Sequence, residues 1–275
     1  MKRNTKYYLL LTIPHIALLI YNLIKNKEKK PIVLYFTSVG FAYLFEIVIL
    51  NYFKSYRYYP KVFKNNWVDT IFGAITSQAF LVPMTATTMA SFRLGWKWRW
   101  GATFLYTIIE RLFIREHLFK NNWWRTAYTT GSLPFFFWLM EKWSKMREGR
   151  FQKWVGHTNI FFFVWVNYTN LYFLLVTVFK KFLFGRNKIW KKYVMHFYLY
   201  PPFSIIQSFV IYISIVKGKF VMGVVGAHIL DQLLYRLKWI QTRSWSVYCF
   251  LPIHIGMYWL GKLFKKYMIS GTNGS

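Results

Sequence analysis

Long apolar runs alternate with short basic, aromatic connections along almost the whole chain. The runs predict helices over about 7–23, 31–53, 102–118, 127–143, 155–179, 193–216, 220–237 and 247–263, with one more beginning around Trp67. Each is close to the roughly 20 apolar residues that a helix needs to cross the hydrocarbon core. Prolines fall inside several of them (Pro14, Pro83, Pro134, Pro201-Pro202), where each removes a backbone donor and kinks the helix. The helix from Trp67 is rich in small and hydroxyl residues, including Thr70, Gly73, Ala74, Thr76, Ser77, Thr85, Thr87 and Thr88. Such surfaces pack closely against neighbouring helices, so this one belongs at the centre of the bundle. Asn66 is its expected N-cap, with Asp69 completing a capping box.

The fold class expected from this pattern is all-α: a polytopic membrane helix bundle of about nine spans, forming a single membrane domain over 1–275. A leading span, 7–23, precedes two stretches of similar length, 31–144 and 154–268, joined by the hydrophilic connection 142–153. Trp67, Pro83, Glu110 and Leu133-Pro134 in the first stretch align with Trp190, Pro201, Asp231 and Leu251-Pro252 in the second. A four-span repeat keeps its orientation, so the two would be parallel repeats. Low identity leaves the alternative open, since aligned apolar helices resemble one another without any duplication.

Composition narrows the picture. The chain is 55% hydrophobic and 23% aromatic, well above a soluble domain. Its 37 basic residues stand against 8 acidic ones, a net charge of +29. They sit between the apolar runs, interleaved with Trp and Tyr, as in 25–30, 93–100 and 188–192. That is the arrangement of a membrane interface attracting anionic lipid, and it argues against a nucleic-acid partner. Both alternate sets of loops are basic, so charge selects no orientation. Cys249 is alone, which excludes an intrachain disulfide. The apolar stretch after Met1-Lys2-Arg3 lacks a small-residue cleavage site and reads as a retained span. The tail 269–275 reads as disordered.

Candidate chemistry lies in the few polar groups inside the apolar runs. An ionised side chain there is costly and normally faces a partner or a pathway. Glu46, Glu110, Arg111, His228 and Asp231 are such groups. Glu110 shares a helix face with Phe113, Ile114 and His117, and His228 shares one with Asp231 and Tyr235. Two readings stand side by side. The acids pair with arginines of other helices and hold the bundle together, or they bind protons or cations along a pathway, with Arg111, Gln78 and His117 as partners. A His-x-x-Asp pair is a weak metal signal that needs a third ligand, available in principle from His15, His117 or His254. No metal site and no cofactor are assigned. His15 and His254 lie next to prolines, where each is expected to bond carbonyls freed by the kink. Trp123-Trp124-Arg125 reads first as an interface anchor, and more sharply as a lipid-headgroup site in which Arg125 grips phosphate and Trp124 packs on the lipid.

No phosphate-binding loop, zinc-protease motif, nucleophile elbow or magnesium-binding acidic cluster is present, so no enzyme activity is assigned. The segments Asn65-Asn66-Trp67-Val68-Asp69, Phe92-Arg93-Leu94-Gly95-Trp96, Glu110 and Trp123-Trp124-Arg125-Thr126-Ala127-Tyr128-Thr129 resemble an uncharacterised family of multi-pass membrane proteins from spore-forming Gram-positive bacteria. The resemblance implies a bacterial cytoplasmic or spore membrane and brings no activity with it. The expected functions are therefore a transporter or ion- and proton-handling protein, a non-catalytic assembly or lipid-binding protein, or a lipid-modifying enzyme. Anionic membrane lipids are the expected partners, with homo-oligomers left open.

Overall fold

In a computed structural model the chain is almost entirely helical. Residues 1–26, 30–146, 150–185 and 192–269 are described. The expected connections 25–30 and 142–153 therefore lie partly outside them, and Trp190, most of 188–192 and the tail beyond Ile269 lie wholly outside. The chain divides into two compact units, Met1–Gly156 and His157–Ser275, so the division falls a few residues beyond the expected connection.

The first unit contains α1 (Arg3–Lys25), α2 (Lys30–Glu46) running on as a π-turn (Ile47–Tyr52), and the strand β1 (Tyr56–Tyr58). A long helix follows as α3 (Asn66–Ile75), a π-turn (Thr76–Leu81) and α4 (Val82–Ser91). Then come α5 (Trp96–Arg115), β2 (Phe119–Asn121) and α6 (Thr126–Met146). Every residue from Val82 to Ala90 is buried, and α4 packs against α1, α2, α5 and α6. The threonine-rich helix is thus the axis of this unit. Its core joins Leu34, Val82, Met89, Phe137, Met140 and Trp143. Arg99, almost fully buried, forms an ion pair with Glu141 and lies 4.4 Å from the centre of the Trp96 ring.

The helix start differs from expectation by one residue. Asn65, not Asn66, is the N-cap, its side chain accepting from the amides of Trp67 and Val68. Asp69 accepts instead from the backbone amides of Lys61, Val62 and Phe63, at 2.7–2.9 Å. A carboxylate with three backbone donors pins the loop between β1 and α3.

Helix α7 (Gln152–Thr177) starts within the first unit and lies mostly in the second, which also holds β3 (Phe182–Phe184), α8 (Lys192–Lys217), α9 (Phe220–Arg236), β4 (Ile240–Thr242) and α10 (Leu251–Ile269), the last entered through a short 3₁₀ turn (Val247–Phe250). Within each unit the two strands form a short antiparallel ladder. Tyr56, Arg57 and Tyr58 oppose Asn121, Lys120 and Phe119, and Phe182, Leu183 and Phe184 oppose Thr242, Gln241 and Ile240. Just before each strand one residue takes a left-handed conformation: Lys54 (φ 50°), His117 (φ 55°), Lys180 (φ 51°) and Lys238 (φ 60°). These residues reverse the chain at a helix end, and the ladders then satisfy backbone groups that an apolar setting would leave unpaired.

Among the described residues five helices are long and apolar enough to cross a membrane: Arg3–Lys25, Pro31–Tyr52, Gln152–Thr177, Tyr193–Lys217 and Val247–Ile269. The other four expected spans do not qualify, for separate reasons. The helix from α3 to α4 is polar at Asp69, Gln78 and its threonines, and α9 has only 17 residues. Helix α5 carries Lys97, Arg99, Glu110, Arg111 and Arg115, and α6 carries Glu141, Lys142 and Lys145. Even so, α5 exposes Phe104, Leu105, Ile108 and Leu112 at helical spacing, and α9 exposes Val221, Val225, Ile229 and Leu233.

Candidate functional site

The first unit contains two neighbouring concavities. One is an apolar chamber of about 410 Å³, walled by aromatic side chains such as Phe41, Phe45, Phe113 and Phe136. Its polar lining includes Gln78, Glu110 and Thr129, with Tyr56 and Tyr58 beside them. The other is an open cleft of about 1030 Å³, lined by Lys61, Arg111, His117, Lys120 and Arg125 and by no acid. Phe119 and Trp124 line both.

Local structure places each of these groups. Lys61 is held by its backbone amide on Asp69. Lys120 sits in β2, opposite Arg57. Arg111 and His117 come from the end of α5 and the turn after it. Arg125 ends the turn that leads into α6, a turn fixed by the amides of Asn122, Trp123 and Trp124 on the carbonyl of Ser55. Lys61, Arg111, Lys120 and Arg125 are all exposed, and among the described residues none has a carboxylate partner. Unpaired cations converging on one cleft produce a positive field that favours an anion.

Trp124 is only half exposed, which distinguishes it from the exposed Trp123. Its indole nitrogen donates to Thr129 Oγ1 at 2.9 Å, and its ring packs edge-on against Phe45, Tyr56 and Tyr128. It is a wall between the two concavities more than an anchor.

Among the described residues neither Glu110 nor Glu46 pairs with an arginine. Glu110 accepts from the hydroxyls of Thr126 (2.8 Å) and Thr129 (2.5 Å), at the first turn of α6, where the helix dipole favours an anion. Glu46, buried in the second apolar helix, accepts from the Tyr56 hydroxyl at 2.6 Å and from Gln78 at 3.0 Å. Tyr56 lies in the ladder, where burial, with the Glu46 carboxylate beside it, pushes its phenol well above the usual value and keeps it a donor. Gln78 therefore orients a buried acid and lines the chamber at once.

In the second unit Asp231 is fully buried. Its Oδ2 lies 2.6 Å from Nε2 of His254, and its Oδ1 accepts from Gln207 at 3.0 Å. Nδ1 of His254 meets the Tyr168 hydroxyl at 2.9 Å. His254 therefore serves the acid and not a carbonyl freed by Pro252, which corrects the expectation. His15 does bond a helix carbonyl, that of Leu11, at 2.7 Å, and its other nitrogen meets the Tyr106 hydroxyl at 2.8 Å. His228 lies one turn before Asp231, with Nε2 on Gln232 at 3.1 Å.

Sequence reasoning missed Lys61 and Lys120 in the cleft, and Tyr168 and Gln207 beside Asp231. The tyrosine and glutamine lay in unremarkable apolar runs and gave no signal. Lys61 and Lys120 did stand in basic aromatic loops, but only strand pairing shows that those loops meet. No family model, no curated protein and no solved structure matches this chain.

Proposed function

We propose that this is an integral membrane protein whose N-terminal unit binds an anionic amphiphile of the bilayer, with the headgroup in the basic cleft and the chain in the aromatic chamber. One observation carries the reading: the unpaired cations Lys61, Arg111, Lys120 and Arg125 surround a cleft that shares its Phe119 and Trp124 walls with an apolar cavity. A phosphate bound by arginine and lysine gains charge-assisted hydrogen bonds, and the adjoining apolar wall suits an acyl chain. The five spanning-length helices and the exposed apolar stripes of α1 and α5 support the membrane setting. Placement in a bacterial cytoplasmic or spore membrane rests on the resemblance of the 65–129 segments alone.

The test uses the purified full-length chain in neutral phosphatidylcholine nanodiscs, titrated with phosphatidylglycerol. Lipid retained on the protein is counted by native mass spectrometry. Wild type should retain the anionic lipid over the neutral one, and the double variant Arg111→Gln, Arg125→Gln should weaken that retention at least ~10-fold, the scale of about 1.4 kcal/mol. Equal retention by the double variant would remove the headgroup site.

The transport reading keeps one specific support: Glu110 faces the chamber with its carboxylate on hydroxyls alone. A cation carrier of that design would lose function in Glu110→Gln while its lipid retention stayed intact.

We also infer that the two units are copies of one plan. Each contains a long apolar helix, a strand, a proline-bearing helix, a helix with an acid near its end, a second strand and a proline-bearing last helix. After the second strand a tryptophan, Trp124 or Trp245, packs against a ring of the first strand, Tyr56 or Phe182.

A further inference from the structure

We propose that His228, Asp231 and His254 form a binding site for a divalent transition metal of the zinc type, joining α9 to α10 within the second unit. One ligand atom from each of the three lies within 4.8 Å of the others. Two imidazoles and one carboxylate are the donor set that such ions take, with a position left open.

The surroundings carry the argument further than the count of ligands. Metal-bound histidines and carboxylates are normally held by a second partner on their far atom. Here all three are. Nδ1 of His254 meets the Tyr168 hydroxyl at 2.9 Å, Oδ1 of Asp231 accepts from Gln207 at 3.0 Å, and Nε2 of His228 contacts the Gln232 amide at 3.1 Å. The atom of His228 left over is Nδ1, which is buried and has no hydrogen-bond partner among the described residues. A buried ring nitrogen without a partner is costly. With the ring proton on Nε2 and the Gln232 amide turned so that its oxygen accepts it, the Nδ1 lone pair is free and a metal ion supplies the partner it lacks.

Metal entry replaces the hydrogen bond between His254 Nε2 and Asp231 Oδ2. The imidazole proton moves from Nε2 to Nδ1, where the Tyr168 oxygen accepts it, and the carboxylate and both rings then face the cation. Asp231 and His254 are fully buried, whereas His228 is partly exposed and stands beside the exposed ring of Tyr248, 5.7 Å between centroids. The ion would enter and keep its open position on that side.

This site does not depend on the lipid reading, which concerns other residues. The full-length protein, purified through a tag without histidines, is loaded with zinc chloride, freed of excess and analysed for bound zinc. Wild type should keep about one ion per chain and melt at a higher temperature with zinc than without. His228→Ala leaves the Asp231–His254 pair intact and therefore folds, and it should bind zinc at least ~10-fold more weakly. Asp231→Asn should do the same, while His117→Ala, in the other unit, should bind as wild type. With Co2+ in place of zinc, wild type should show visible d–d bands that His228→Ala lacks. No bound zinc in the wild type, or equal binding in His228→Ala, would overturn the proposal.

Discussion

Glu110 shows what a single carboxylate needs in an apolar helix. It has no arginine partner among the described residues and is satisfied by two threonine hydroxyls at the start of α6. Glu110→Gln keeps an acceptor for one hydroxyl and gives up the charge near the helix N-terminus. A loss of about 1 kcal/mol in thermal unfolding is expected, with retention of anionic lipid unchanged. If the variant instead loses lipid retention while keeping its fold, Glu110 takes part in binding the lipid and the division between chamber and cleft is wrongly drawn. Asp231 takes the other course. Its charge is met by an imidazole and an amide in a fully buried setting, so its neighbours decide its chemistry.

At the scale of elements, close approach replaces side-chain bulk where α8 crosses α9. A Cβ added to Gly223 would run into the Oγ and Cβ of Ser214. Gly223→Ala should therefore push the two helices apart, at a cost of about 1–3 kcal/mol, read as a lowered melting temperature in detergent. A melting temperature unchanged from wild type would mean that this crossing is looser than described. The apolar helices themselves were legible, because their hydropathy is continuous. The centrality of α4 was legible too, from its threonines. The strands were not: Tyr56-Arg57-Tyr58 and Phe119-Lys120-Asn121 look like ordinary interface loops until they pair. The cleft was illegible for the same reason, since that pairing is what brings Lys61 and Lys120 toward Arg111 and Arg125. Arg125 and Trp124, which line the cleft, drew notice in the sequence because they adjoin each other in a Trp-rich turn. The partner of Asp231 could not be read, because His254 has an equally good local explanation beside Pro252.

On the scale of the molecule, each unit closes its apolar helices with a short ladder and carries an acid, Glu110 or Asp231, in the helix just before its second strand. The first unit contains a chamber beside a cationic cleft, and the second encloses a fully buried Asp231. In the proposed reading the first unit holds an amphiphile and the second a metal ion. The central claim is that the chamber holds a lipid chain. The most direct measurement is photocrosslinking of the protein in nanodiscs with an anionic phospholipid carrying a diazirine in its acyl chain, followed by peptide mapping. Adducts concentrated on chamber residues such as Phe45, Phe136 and Leu139, and reduced in the Arg111→Gln, Arg125→Gln variant, are the predicted result. Adducts confined to outward faces such as Leu10 and Ile13 of α1 or Ile108 of α5, with no difference in the variant, would contradict it.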